Sequence, residues 1–467
     1  MKSDSKDNIK MQKETSNKMG TMPEGKLLLS MGTPLMLSML VAALYNLVDS
    51  FFVAHIEGTG DAAVNALTLA FPVQMLMTAL TVGTGVGVGA VLSHSLGRKD
   101  KERANKIAGN AIFLYICYYI LLCLFGIFGT KTYIAGQTGD EVVLELGTKY
   151  LQIVSCFSFG FMGEKCFEKL LQSTGKATFS MIGQLTGSVL NIILDPILIF
   201  GLFNAPKLGV SGAAIATVIS QGIAVLVSGT LHFRKNKELS HKIKDCKPDI
   251  IIIKEIYKVG APAILMQALT SVMTYGMNII LKEISAVAVT AYGIYFRLQN
   301  FIFMPAFGLN NASIPIIGFN RGAAKLKRVK NTIMYGLIIV TGIMIFGFIL
   351  FQCFAPEIAG IFGLSESVNE LCTNALKIIS FGFVFAGVNI ILQGACQALG
   401  NGTNSLIISM MRMVVLVLPL AKLISQMENA QKYVWIVFPI AEIITSVIAI
   451  YITFRLYRKE KEVMLCQ

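Results

Sequence analysis

Apolar runs long enough to cross a bilayer, which takes roughly 20 residues at about 1.5 Å each, alternate with short polar stretches along this chain. Twelve such runs begin near Lys26, Ala63, Ala104, Thr148, Thr178, Val210, Ile256, Ala286, Lys330, Val368, Thr403 and Lys432. Backbone N–H and C=O groups inside hydrocarbon must be satisfied within the segment, so each run predicts a helix. The expected fold is an all-α membrane protein of twelve transmembrane helices. The polar stretch Met1 to Gly25 reads as a mobile tail, because no small-residue cleavage site precedes the first run.

A second pattern overlies the first. Shifted by about 225 residues, LQIVS and QSTGKATFS (151–155, 172–180) face LKIIS and QALGNGTNS (376–380, 397–405), and LGRKDKERANK at 96–106 faces RGAAKLKRVKN at 321–331. MGTP at 31–34 likewise faces VGAP at 259–262. A parallel repeat of six spans predicts two pseudo-symmetric six-helix lobes about an axis along the membrane normal, with a cleft between them. The expected divisions are a tail at 1–25, lobes at 26–234 and 254–457, a linker at 235–253 and a second tail at 458–467.

Composition and charge sharpen this picture. Hydrophobic residues make up 54% of the 467 and charged residues 14%, with mean hydropathy +0.65, which excludes an ordinary soluble domain. Of the 40 Lys and Arg, 31 fall in the tails and alternate loops on one side, which places both termini in the cytoplasm of a multi-pass cell-membrane protein. Topology and attraction to anionic membrane lipids account for the net charge of +13 without nucleic acid. The nine cysteines show no metal-ligand spacing. GVGVG at 83 to 87 is followed by no GK[ST], so it reads as close helix packing, and ATP bound to this chain is not expected to drive it.

Charged residues inside the runs are the candidate chemistry. Asn191 and Asp195 stand i and i+4 on one helix face, Gln184 and Ser188 continue the stripe, and Pro196 strips the Ile192 carbonyl of its intrahelical donor. Counted along their helices, Asp49, Asp195 and Thr217 share one depth in the outer half of the bilayer, with Tyr45 and Asn46 a turn before Asp49. Two carboxylates held together at low dielectric cannot readily both ionise, so one keeps a proton or both share a cation. For a hard cation such as Na⁺, Asp49, Asn191, Asp195 and Thr217 offer oxygens. The plainer readings are that Asp195 hydrogen-bonds a neighbouring helix and that Asp49 lies at the water interface. Glu164 and Glu168 are either substrate ligands or partners of Lys165 and Lys169. In the second half Gln393, which faces Glu168 across the repeat, and Arg297, which pairs with a carboxylate or a carbonyl, are further candidate substrate contacts, and Asn389 faces Glu164.

With NLVDSFFVAHI (46–56), SHSLGRKDKERA (93–104), NIILDPILIFGL (191–202), LGVSGAAIATVISQ (208–221) and YGIYFRLQNFIFMP (292–305), the chain resembles the multidrug and toxic compound extrusion (MATE) family, in its MepA-like bacterial branch. That resemblance implies a two-lobed antiporter, without cofactor, expelling organic cations in exchange for H⁺ or Na⁺ by alternating access. It carries the cation site onto Asp49, Asn191, Asp195 and Thr217, with Tyr45 close by, and a drug contact onto Glu168. A monomer is expected. The rival within the wider superfamily is a flippase for lipid-linked precursors, for which Arg297 and Arg412 would supply cations. A membrane-embedded enzyme is disfavoured because neither DDxxD nor HExxH occurs.

Overall fold

The structure is a computed structural model describing residues 17–56, 60–240, 242–360 and 365–465. The expected mobile stretch 1–16 lies outside the described residues. The first half comprises α1 (Glu24–Ala54), α2 (Gly60–Gly97), α3 (Lys101–Phe128), the short α4 (Thr130–Ala135), α5 (Glu141–Cys156), α6 (Phe159–Ser173), α7 (Ala177–Phe200) and α8 (Val210–Lys235). The second half comprises α9 (Ile250–Ile284), α10 (Ala286–Gly322), α11 (Leu326–Gly360), α12 (Glu366–Ser380), α13 (Phe383–Ala398), α14 (Gly402–Met410), a π-helical turn (Met411–Val415), α15 (Val417–Ile424), the short α16 (Ala430–Tyr433) and α17 (Val437–Leu465). Among the described residues there is no strand.

Ten helical segments are long and apolar enough to cross a membrane, and two bent pairs raise the number to twelve. This matches the twelve runs of the sequence, with one refinement. The fourth span of each half is broken: α5 and α6 meet at 46°, α12 and α13 at 53°. The breaks fall at Phe157–Ser158 and at Phe381–Gly382, at the same place in the repeat.

Helix ends repeat as well. Gly175 (φ +82°) and Gly400 (φ +72°) both turn left-handed just past α6 and α13, a conformation that costs glycine no Cβ clash. After them the Lys176 amide donates to Leu171 O at 2.8 Å and the Asn401 amide to Cys396 O at 2.9 Å. The glutamine of each QxxG reaches across its turn, Gln172 to Ser180 Oγ at 3.1 Å and Gln397 to Ser405 Oγ at 3.0 Å. Lys99 and Ala324 form another matched left-handed pair, as do Asn204 and Asn429.

The two halves close on each other at the end that carries both termini. Backbones there approach within side-chain distance: a Cβ on Gly87 would lie 2.2 Å from Ile256 O, one on Gly97 2.0 Å from Phe319 O, and one on Gly322 2.0 Å from His94 O. The GVGVG segment is therefore helix packing between α2 and α9. Arg103 forks onto Glu255 at 2.5 and 2.6 Å, Tyr118 bonds Tyr257, and Lys169 Nζ lies 3.5 Å from Asn311 Oδ1. These hydrogen bonds and ion pairs between the halves all lie toward this end.

Two expectations need correcting. The stretch to Gly25 is not a free tail throughout: Lys18–Gly20 form a 3₁₀ turn and Met19 is fully buried. Asn320 and Lys325 hold this turn through the carbonyls of Met19 and Gly20 at 2.9 Å, and Arg328 reaches Met22 O at 2.5 Å. At the other terminus α17 continues helically from 458 to Leu465. The linker lies along α3, where Asn105 accepts from the Ser240 amide and Asn110 from the Asp249 amide, both at 2.8 Å.

α1 belongs to both halves. Leu27, Leu28, Met31 and Leu35 sit in the second-half core, whereas Val53, and Ile56 just past the helix, sit in the first-half core. Pro34, which removes one helical N–H, lies inside the first of these segments.

Candidate cation-binding site

The site starts from the α7–α8 hairpin, which small residues draw tight. A Cβ on Gly212 would lie 2.3 Å from Leu198 O and one on Gly187 3.1 Å from Ala224 Cβ, so the helices pack nearly backbone to backbone. The hairpin is fastened at its tip, where the Leu208 amide donates to Leu198 O at 3.0 Å and the Gly209 amide to Ile199 O at 3.2 Å. At this spacing short side chains meet. Asn191 Nδ2 donates to Asp195 Oδ1 at 3.1 Å on its own helix and to Thr217 Oγ1 at 3.4 Å on α8.

α1 packs along α7 and supplies the second carboxylate. The carboxyl groups of Asp49 and Asp195 come within hydrogen-bonding reach of each other. Carboxylates only accept, so a bond between them forms only when one holds a proton. As ionised groups they leave Oδ1 of Asp49, Oδ2 of Asp195 and Oδ1 of Asn191 buried without a donor. Three orphaned acceptors in one place are unusual in a folded interior and ask for a positive species, a proton or a cation. Asp195 has no exposed surface and Asp49 is partly exposed.

Tyr45 stands one turn before Asp49, within electrostatic range of Asp49, Asp195, Glu164 and Lys165. Asn46, which shares its stretch, instead donates to Ala42 O at 2.9 Å on the exposed side of α1. Sequence reasoning missed Tyr150 on α5 and Gln74 on α2, which hydrogen-bond at 3.0 Å within electrostatic range of the carboxylate pair. Polar side chains at the depth of Asp49 within apolar runs were the signal available.

Glu164 and Glu168 form a different group toward the closed end. Lys165 Nζ lies 3.1 Å from Glu164 and 2.7 Å from Glu168, Gln172 donates to Glu168 at 2.8 Å, and Lys169 Nζ donates to Gln172 Oε1 at 3.0 Å. Of the two readings open in the sequence, ion pairing is the one observed, and both glutamates are buried. The second half replaces this cluster by another. Arg412, on the π-helical turn, forks onto Glu442 at 2.5 and 3.0 Å, and Asn389 donates to Glu442 at 2.7 Å. Gln393 is taken up by Ser409 and by Ser405 O at 3.3 Å. Arg297 is exposed, and the described residues give it neither the carboxylate nor the carbonyl partner expected. Among the described residues, no three His, Cys, Asp or Glu converge as a metal site would require.

Similarity to known proteins points the same way as the fold. The MatE family matches residues 34–197 and 262–423, one copy in each half. Multidrug export protein MepA of Staphylococcus haemolyticus is 27% identical over 431 residues, 92% of this chain and 93% of the relative. MepA of Staphylococcus saprophyticus is 29% identical over 428 residues, 91% and 92% of the two chains. An outward-facing structure of a multidrug resistance MATE family transporter of the MOP superfamily superposes with a TM-score of 0.90 at 23% identity, over 96% of this chain and 99% of that one. With the family spanning both halves and twelve apolar spans in its described residues, this multi-pass membrane protein belongs to the MatE family.

Proposed function

We propose that the protein is a secondary antiporter that exports amphipathic organic cations in exchange for H⁺ or Na⁺, with the closed, terminus-bearing end in the cytoplasm. The observation that carries this reading is the set of donorless buried oxygens on Asp49, Asn191 and Asp195. An arrangement of acceptors without a counter-charge is a preformed seat for a positive species, and a seat between α1, α7 and α8 is subject to movement of α1. The bundle closed at one end is then the outward-open state. A lipophilic cation held in the cleft competes for the negative site with the external coupling ion, and capture of that ion releases it. The ion shifts the equilibrium between states only by its difference in affinity for them.

In this scheme the lobes at 26–234 and 254–457 rock about the linker at 235–253, and the chain acts as a monomer. Tyr45 sits between the cation seat and the Glu164–Glu168 cluster and orients substrate there. Glu168 and Glu164 meet substrate only after parting from Lys165. Gln393 meets substrate from the second half after parting from Ser409, while Arg297 lines the open half of the cleft. A flippase for lipid-linked precursors would need free cations, and of its two candidates Arg412 is already paired with Glu442, which leaves Arg297 alone.

Everted membrane vesicles test the proposal. Uptake of a fluorescent lipophilic cation, driven by a pH jump or by a Na⁺ jump, should depend on one of the two. No uptake under either gradient would overturn the reading.

A further inference from the structure

The repeat forms a recess at the closed end twice, once beside each left-handed glycine that follows a QxxG motif. Beside Gly175 the recess is filled by the chain itself. A Cβ there would meet Met19 Cγ at 3.3 Å, Asn17 Oδ1 at 3.4 Å and Lys18 Cε at 3.6 Å. Asn17 fastens this plug by donating to Thr174 O and to Glu238 Oε1, each at 3.2 Å.

Beside Gly400 none of the described residues forms such a plug. A Cβ on Gly400 would instead come within 2.9 Å of Arg321 Nη1, and an open cavity of about 380 Å³ remains. Its lining includes Lys258 of α9, Arg321 of α10, Thr403 of α14, and Lys459 and Glu460 of α17. Arg321 spends Nε and Nη2 on Glu460, at 3.0 and 2.7 Å, and leaves Nη1 directed at the cavity side of Gly400. Lys258 and Lys459 are exposed and enter no ion pair among the described residues. Three cations against one carboxylate leave a surplus of positive charge in a concave site more than ten times the roughly 30 Å³ share of one liquid water.

We propose that this cavity binds a phosphate ester, as carried by the headgroup of an anionic membrane lipid. A guanidinium edge with two flanking ammonium groups matches a phosphate diester in charge and donor geometry. The first-half copy takes no such ligand because the N-terminal turn fills it. The inference uses the membrane fold alone and stands whether or not the transport reading does.

The full chain, purified in a neutral detergent, is titrated with phosphatidylglycerol, with phosphatidylcholine and with inorganic phosphate, and bound ligand is read by native mass spectrometry. Phosphatidylglycerol should bind in preference to phosphatidylcholine. Lys258→Ala with Lys459→Ala should weaken it by roughly tenfold or more, at about 1 kcal/mol per basic residue. Lys327→Ala with Lys330→Ala removes the same charge from exposed positions outside the cavity and should leave binding unchanged. Binding of inorganic phosphate without a lipid preference, lost in the same cavity variant, would support the phosphate site and assign it to a free anion. Equal losses in the two double variants, or no binding of either anion by the native chain, would overturn the proposal.

Discussion

The two halves put buried polar groups at matching places and balance them differently. Glu164 and Thr217 correspond to Asn389 and Glu442, while Asn191 and Asp195 correspond to Leu416 and Leu420. In the second half the carboxylate of Glu442 is closed off by Arg412 and Asn389, which makes a charge-neutral network that leaves only the amide oxygen of Asn389 without a donor. In the first half Asp49 and Asp195 face each other with no cation among their hydrogen-bond partners. One repeat unit has thus become a braced partition and the other an unfilled acceptor site. Buried ionic groups stabilise little when paired and cost several kcal/mol when left alone, so an unpaired set persists only where something else fills it.

Four experiments break or sharpen that contrast. The largest effect is expected from Asp195→Asn, which should abolish cation export while the purified protein keeps its elution and melting profile; unchanged efflux would remove the functional half of the comparison. Next comes Arg412→Met, which leaves Glu442 buried without its partner and should cost about 3–5 kcal/mol of stability, read as a lowered Tm. Adding Glu442→Leu should recover most of that loss, since replacing both members of a buried pair is often close to neutral. Thr217→Ala should be milder, weakening binding of the coupling ion roughly fivefold for about 1 kcal/mol of lost interaction, measured by ion titration of substrate release. The smallest is Tyr150→Phe, which removes the acceptor for Gln74 and should cost about 1 kcal/mol of stability at most while leaving ion dependence intact.

Much of this architecture is legible in the residues because hydrocarbon leaves few options. Span length follows from bilayer thickness, and the Gln–Gly–Ser spacing of the repeat survives because each helix end needs the same left-handed glycine and the same glutamine bridge. Asn191 and Asp195 are legible as a pair since i and i+4 share a face. What stayed hidden depends on contacts between distant segments. Arg412 and Glu442 lie thirty residues apart on different helices, and nothing in either run announces that they cancel. The breaks at Phe157–Ser158 and Phe381–Gly382 fall inside continuous apolar sequence, so periodicity passes over them. Met19 lies in a polar stretch without repeat, and only its docking against Asn320 and Lys325 reveals that it is core.

The placement of α1 has a mechanical consequence. Its early turns are clamped in one core and its final residues in the other, so this helix cannot ride rigidly with either. Rotation of one half against the other must be absorbed as bending or twist along α1, and the missing hydrogen bond at Pro34 lowers the cost of bending there. Asp49 lies beyond that weak point, in the stretch that ends in the first-half core alongside α7, so bending at Pro34 carries Asp49 and Asp195 together against the second half.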